Sequence, residues 1–175
     1  MGTTNIMEDK QLEILRQRAE SGDAVAMCEI GDRCYDSGHY EECVKWYRAA
    51  AKQGDASAQY SLGYCCQYGI GVEQDEEEAI EWYWLSAKQG NADAQNNLGY
   101  CYQHGIGVKQ DYGLAVKLVR ASAKQGNAPA QYNLGYCYQY GIGVEQDEDV
   151  AIEWYRAAAE QGYTLPAELQ AKLDN

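Results

Sequence analysis

The sequence predicts an all-α fold, an α-solenoid of antiparallel helix pairs, and two observations support this prediction. The segment Gly54–Gln89 recurs at a spacing of 36 residues, with most positions unchanged, as Gly90–Gln125 and Gly126–Gln161. Each copy holds two amphipathic segments separated by a glycine-containing loop. A period of roughly 20–50 residues is typical of solenoids, in which each repeat buries its apolar face against its neighbours. We therefore expect the hydrophobic core to run along the stack of repeats.

The first segment of the repeat is predicted to form helix A, over Ala56–Tyr68 in the second repeat and over the matching residues of the later repeats. A residue that favours helix N-caps precedes it each time: Asp55, Asn91 or Asn127. Glycines are expected to end the helix, because they supply the backbone freedom that a loop needs.

The second segment is predicted to form helix B, which ends at Gly90 in the second repeat. Its N-caps are expected to be Asp75, Asp111 and Asp147. Asp75 and Glu78 resemble a capping box, in which the side chain of Glu78 would reach back to the N–H of the N-cap residue.

These signals predict a single solenoid domain over residues 1–175. Residues 1–10 are polar and are expected to fray, whereas residues 11–21 match part of a helix B and are expected to form an N-terminal capping helix. Four repeats follow, the first of them shortened in its loop: 22–53, 54–89, 90–125 and 126–161. Residues 162–175 are expected to form a C-terminal capping helix. Such caps cover the apolar faces that a solenoid would otherwise expose at its ends.

Composition and charge narrow the classes of partner. Hydrophobic residues make up 46% of the chain, which is normal for a folded protein. We expect no membrane span and no signal peptide, since no apolar run approaches the roughly 18–20 residues that a span needs. The net charge of −13 repels phosphate backbones, so nucleic acid is not an expected partner. The same charge suits either a solvated outer face or a groove for a basic partner.

The seven cysteines are expected to be buried thiols. Cys65, Cys101 and Cys137 occupy the same position of three successive repeats, where they replace apolar residues. An odd number of cysteines without a signal peptide is typical of a reducing compartment, which predicts a cytoplasmic protein. Equivalent positions in stacked repeats lie roughly 8–10 Å apart, too far to share a zinc ion. We therefore expect neither a metal nor a cofactor.

The repeat resembles the Sel-one-like repeat, a relative of the tetratricopeptide repeat. The matching positions in the second repeat are Ala58, Leu62-Gly63, Gly69-Ile70-Gly71-Val72, Asp75, Ala79, Trp82-Tyr83 and Ala87. Two departures are local: Cys66 takes a tyrosine position, and Leu118-Val119 replace Trp-Tyr in the third repeat. The resemblance implies a right-handed superhelix and a role in assembling protein complexes.

Resemblance to tetratricopeptide repeats also places one face of helix A on a concave surface. This face is rich in tyrosine and glutamine, and tyrosine is enriched at binding hot spots. We expect the groove to bind a protein or an extended peptide, with a basic end over the first repeat. The predicted groove residues are Asp32, Asp36, Tyr60, Tyr64, Gln67, Tyr68, Asp93, Asn96, Tyr100, Gln103, His104, Tyr132, Tyr136, Gln139 and Tyr140. At this point, packing of Tyr64, Tyr100 and Tyr136 against one another as scaffold remains an alternative.

The sequence thus predicts a non-catalytic scaffold or adaptor that is monomeric when alone. The two histidines, His39 and His104, have no nucleophile or carboxylate at an interpretable spacing, so no catalytic residue is predicted. One alternative is self-assembly through the solenoid ends. Another is a small-molecule-binding or hydrolytic role, because some cysteine-rich relatives have been linked to penicillin binding. Those relatives pair cysteines between the two helices of a repeat, whereas repeats three and four of this chain carry one cysteine each.

Overall fold

The computed structural model describes residues 3–173, and every regular element within this range is an α-helix. The helices in chain order are α1 (Thr3–Glu20), α2 (Ala24–Asp36), α3 (Tyr40–Lys52), α4 (Ala56–Tyr68), α5 (Glu76–Lys88), α6 (Ala92–His104), α7 (Tyr112–Ala123), α8 (Ala128–Tyr140), α9 (Glu148–Glu160) and α10 (Ala167–Leu173). The predicted all-α fold of repeated helix pairs is confirmed. Helix A of the second repeat has the predicted bounds, Ala56–Tyr68.

The chain divides into two compact units, and the division falls after Ser86, in the last turn of α5. Unit 1 reaches from the N-terminus to Ser86, and unit 2 begins at Ala87. In unit 1, α1 packs on α2, α2 on α3 and α3 on α4. In unit 2, α6 packs on α7, α7 on α8 and α8 on α9. Each helix therefore packs mainly on its neighbours in the chain.

All the predicted N-caps form the expected hydrogen bonds. At the start of each helix A, Asp55, Asn91 and Asn127 accept from the backbone N–H three residues later, at 2.8–2.9 Å. At the start of each helix B, Asp75, Asp111 and Asp147 do the same at 2.8–3.0 Å. These bonds satisfy backbone donors that have no partner within the helix.

Only one of the two hydrogen bonds of the predicted capping box at α5 is formed. Asp75 caps the helix, but its own N–H donates to the carbonyl of Cys66 at 2.9 Å. Glu78 instead accepts from the guanidinium of Arg48 on α3 and from Trp82 Nε1 at 3.0 Å. A charged partner on another helix offers a stronger hydrogen bond than a neutral N–H does, which explains where this side chain points.

Glycines end α4, α6 and α8 because the backbone there turns into the left-handed region. Gly69 has φ 67° and donates its N–H to the carbonyl of Cys65. Gly71 has φ 68°, and a Cβ at this position would overlap the backbone of Tyr40. This loop can therefore pass close to α3 only with glycine at position 71.

Small and medium-sized side chains fill the core of each unit. In unit 1, Leu62, Cys65 and Cys66 are fully buried on one face of α4, together with the ring of Tyr83 from α5. The corresponding core of unit 2 contains the following fully buried side chains: Leu98, Cys101, Val119, Leu134, Cys137 and Tyr155. The cysteines thus pack as small apolar residues, as predicted. Of the seven, six are buried and Cys34 is half-buried.

The N-terminal helix begins earlier than predicted. α1 starts at Thr3, so residues 3–10 are helical rather than frayed, while Met1 and Gly2 lie outside the described residues. Once a helix is nucleated, further residues of good helix propensity extend it at little cost. Leu15 and Ala19 of α1 pack against Ala26 and Ile30 of α2, as a capping helix would.

The C-terminal helix α10 packs on the last helix pair. Tyr155 and Leu165 share a cluster of buried residues with Ala151, and Leu169 of α10 packs against it. The predicted helix is thus present over Ala167–Leu173, and residues 174 and 175 lie outside the described part of the chain.

Candidate functional site

In unit 1 the tyrosine face of α4 is continuous along the helix. The ring centroids of Tyr64 and Tyr68 lie 4.6 Å apart, and those of Tyr60 and Tyr64 lie 6.5 Å apart. Tyr68 is 55% exposed, whereas Tyr60 and Tyr64 are half-buried. Residues four apart share one face of a helix, which brings these rings together.

A pocket opens beside this face, between α2, α3 and α4. It has a volume of about 220 Å³ and is lined by Tyr35, Tyr47, Tyr60, Ser61, Tyr64 and Cys65. The hydroxyl of Tyr47 donates to Asp32 Oδ1 at 2.8 Å, so a carboxylate touches one wall of the pocket. The pocket therefore combines aromatic walls with a negative charge.

In unit 2 the matching faces of α6 and α8 each carry a closely packed ring pair. Tyr100 and His104 have ring centroids 4.3 Å apart, and Tyr136 and Tyr140 have centroids 4.6 Å apart. Tyr100 is 44% exposed, Tyr136 38% and Tyr140 59%. His104 is also exposed. These four predicted groove residues are therefore accessible from solvent in the part of the chain that is described.

Two predicted groove glutamines serve the scaffold instead. Gln67 is only 6% exposed, and its Oε1 accepts from the hydroxyl of Tyr83 at 2.8 Å. Gln139 is half-buried and accepts from Tyr155 at 2.7 Å in the same way. The reason is the glycine four residues earlier in helix A. At Gly63, for example, a Cβ would lie 2.8 Å from the Tyr83 ring, which therefore packs flush on α4 and reaches the glutamine one turn later.

The third repeat lacks this tyrosine, because Val119 replaces it. Gln103 is accordingly less buried than Gln67, and its Oε1 lies 3.9 Å from Cys137 Sγ, which donates to it. Of the predicted groove amides, Gln103 is the one whose environment fits the prediction best.

The prediction that Asn96 lies on the groove surface is also wrong. It is 9% exposed, and its Oδ1 accepts from Asn133 Nδ2 at 2.9 Å. The amide therefore links α6 to α8 rather than facing a partner. Asp93 is exposed but accepts from Asn127 Nδ2 at 2.8 Å, so it too bridges adjacent repeats.

In the fourth repeat, the chain's own C-terminal segment lies against part of the predicted surface. Tyr132 stacks on Tyr163 with ring centroids 5.1 Å apart, and burial raises its pKa. A second pocket, of about 190 Å³, lies between α8 and the start of α10 and is lined in part by Tyr136, Tyr140 and Leu169. Tyr132 is therefore largely a packing residue in this structure.

Asp32 and Asp36 are exposed on α2, as predicted. The sequence prediction missed Tyr35, which lies between them in the chain and lines the pocket of unit 1. Comparison of the repeats could have identified Tyr35, because the later repeats all have glutamine at this position. Burial raises the pKa of Tyr35.

Four copies of the Sel1 repeat match this chain, at residues 24–55, 56–91, 92–127 and 128–163. The chain belongs to the Sel1 repeat family. Sel1 repeats generally mediate protein–protein interactions and are typically scaffolds rather than catalysts.

Two solved structures agree with this assignment, and a curated protein matches part of the chain. The protein c5321, a protective antigen of uropathogenic Escherichia coli with an SLR fold, is 42% identical over 86% of this chain, with a TM-score of 0.81. A Sel1 repeat protein from Oxalobacter formigenes is 35% identical over 87% of the chain, also with a TM-score of 0.81. An F-box protein of Arabidopsis thaliana is 33% identical over 68 residues, 38% of this chain.

The chain spans less than two thirds of each of these proteins: 33% of c5321, 62% of the Oxalobacter protein and 19% of the F-box protein. The similarity therefore covers the repeat array and not their remaining parts. Among residues 3–173, no helix is long and apolar enough to cross a membrane. Among the side chains that the structure describes, no three His, Cys, Asp or Glu residues are grouped so that they could hold a metal ion.

Proposed function

We propose that this protein is a non-catalytic adaptor that binds a protein or an extended peptide on the tyrosine faces of its A helices. The observation that carries the proposal is the close ring pair that recurs on α4, α6 and α8, with at least one ring of each pair exposed. Solubility alone does not favour exposed tyrosines at the same position of successive repeats. Tyrosine combines a large contact area with one hydroxyl and is frequent at binding hot spots.

The packing of these rings also favours binding. Each pair has its centroids 4.3–4.6 Å apart, so the two side chains already restrict each other's rotamers. Ordering a rotamer-rich side chain on binding costs about 0.5–1.5 kcal/mol, and a pre-packed ring avoids part of that cost. The hydroxyls of Tyr83 and Tyr155, by contrast, form hydrogen bonds within the scaffold.

A mutation series with the protein's own binding partner tests this proposal. The partner is isolated with the full chain, and its affinity is then measured for the wild type and for Tyr100→Ala and Tyr136→Ala. Truncation of a hot-spot tyrosine costs about 2 kcal/mol or more, so each variant should bind about thirty-fold more weakly. Tyr112→Ala is the matched control, because Tyr112 is 46% exposed but begins helix α7 rather than lying on an A helix. It should bind within about two-fold of the wild type.

Circular dichroism establishes that each variant is folded. If Tyr100→Ala and Tyr136→Ala are folded and both bind as the wild type does, the tyrosine faces are scaffold and the binding surface lies elsewhere. An equal loss in Tyr112→Ala would also contradict the proposal, because the effect would not then depend on the A helices.

A further inference from the structure

The pocket of unit 1 has the size of a site for one side chain. Its volume of about 220 Å³ is below the roughly 300–1,000 Å³ of pockets that take small-molecule ligands. Four of its six lining residues are tyrosines, contributed by α2, α3 and α4. A pocket between three packed helices keeps its shape better than one on a loop, because packing fixes the rotamers of its walls.

The charge beside the pocket is negative. Asp32 accepts at 2.8 Å from the hydroxyl of Tyr47, one of the residues that line the pocket, and remains exposed to solvent. Asp36 follows four residues later, so it lies on the same face of α2 and is also exposed. The basic residue between them, Arg33, contacts Glu29 at 3.4 Å. A ligand that enters beside Asp32 therefore meets a carboxylate at the rim and aromatic rings inside.

We propose that this pocket binds an arginine side chain of the partner segment. The proposal rests on the proposed function, because the arginine would belong to the protein or peptide held on the A helices. Aromatic rings attract cations through the negative face of the π-system, and the planar guanidinium also stacks on them. The carboxylate of Asp32 can accept hydrogen bonds from the same guanidinium, whose fork of donors matches a carboxylate.

The first repeat carries this pocket for a structural reason. In repeats two and four, the tyrosine of helix B donates to a glutamine of helix A, Gln67 or Gln139. In the first repeat Tyr35 takes the place of that glutamine, so Tyr47 donates to Asp32 instead. Two differences from the later repeats, Tyr35 in place of the glutamine and Asp32 in place of a tyrosine, thus add a ring to the pocket and a carboxylate at its wall.

A blocked tripeptide tests this inference without the native partner. Acetyl-Gly-Arg-Gly-amide is titrated into the full chain with ¹³C-labelled tyrosines, and the ring chemical shifts are followed by NMR. The signals of Tyr35, Tyr60 and Tyr64 should shift in a saturable way. The same peptide with citrulline, which has the shape of arginine without its charge, should bind at least about three-fold more weakly.

Three variants locate the binding. Asp32→Asn keeps an acceptor for Tyr47 and removes the charge, so the arginine peptide should bind about three- to five-fold more weakly. Tyr64→Leu removes one wall of the pocket and should weaken binding about ten-fold or more. Tyr112→Leu is the matched control, because Tyr112 is 46% exposed but begins α7 in unit 2, and it should leave the affinity unchanged.

Several outcomes would overturn the inference. Equal affinities for the arginine and citrulline peptides would show that the positive charge does not contribute to binding. Equal loss in Tyr64→Leu and Tyr112→Leu, or shifts spread evenly over all tyrosines, would indicate general attraction to an acidic chain. If Tyr64→Leu does not fold, unchanged binding by Asp32→Asn refutes the inference by itself. None of these outcomes bears on the proposed function, which is tested by partner affinity in the unit 2 variants.

Discussion

Replacing Gly135 with alanine should destabilise the protein, although alanine favours helices more than glycine does. Gly135 lies inside α8, where a Cβ would sit 2.8 Å from both Cδ1 and Cε1 of the Tyr155 ring. It would also sit 3.1 Å from the carbonyl oxygen of Ala151. Tyr155 is 1% exposed, and its hydroxyl is held by Gln139 at 2.7 Å. The ring therefore cannot move away without losing a hydrogen bond.

Two opposing effects set the size of the change. In a helix interior, alanine stabilises the helix by about 0.8–1 kcal/mol relative to glycine. Overpacking a well-filled core typically costs about 1–3 kcal/mol, and contact with a fixed ring and a backbone carbonyl places this site at the upper end of that range. The net loss is then about 1–2 kcal/mol. For a chain of this length, that lowers the melting temperature by about 3–6 °C.

Thermal melting followed by circular dichroism and calorimetry measures the change. Gly113→Ala is the matched control in the same unit, since Gly113 lies in the first turn of α7 and a Cβ there meets only Asp111 Oδ1, at 3.5 Å. This variant keeps the gain in helix propensity without the overlap, so it should be as stable as the wild type or up to about 1 kcal/mol more stable. If Gly135→Ala melts at or above the wild-type temperature, the glycine is not needed for the contact with Tyr155 and the reasoning is wrong.

Two further predictions concern charge and thiols. Hydrogen bonds from a guanidinium on α3 hold the pKa of Glu78 below its ordinary value of 4.5, so its contribution to stability is present above that pH and is lost as the pH falls below it. Between about pH 6 and pH 3 the wild type should therefore lose more stability than Glu78→Gln does. The variant Glu76→Gln, at an exposed residue, should behave as the wild type. Parallel plots of unfolding free energy against pH for all three proteins would contradict this. Cys34 should react first with a thiol reagent in the native protein, because it is half-buried whereas the other six cysteines are buried and closed to the reagent. Cys34→Ser should remove the fast phase, and a fast phase that persists in this variant would show that a buried thiol is accessible.

The elements that the sequence predicted well are those set by local signals. The bounds of α4 follow from an N-cap at Asp55 and a left-handed glycine at Gly69, both of which lie beside the helix in the sequence. The repeat period then extends the same prediction to the other helix pairs. Burial of Cys65 and Leu62 follows from helical periodicity, because both lie at the centre of the apolar face.

The errors fall at positions on the border between two faces of a helix. Periodicity gives the direction of a side chain, but it does not say which residue of another helix comes to meet it. Gln67 is buried because the Tyr83 hydroxyl reaches it, and Asn96 is buried because Asn133 bridges to it. In both cases the partner comes from a different helix, at a distance along the chain that no local pattern encodes.

Residues that differ between repeats help to distinguish a binding role from a scaffold role. Every repeat has to pack on its neighbours, so a residue that serves packing should recur. Gly63 and Tyr83 of the second repeat do recur, as Gly135 and Tyr155 of the fourth repeat. Tyr35 instead replaces the glutamine that accepts this tyrosine's hydroxyl in repeats two and four. The exchange gives up that internal hydrogen bond, yet Tyr47 keeps an acceptor because Asp32 stands within 2.8 Å. The scaffold is thus preserved by a second change, and the net result of the two is an aromatic pocket with a carboxylate at its wall. A requirement for packing alone would be met by the glutamine, so binding is the better explanation for the pair of changes.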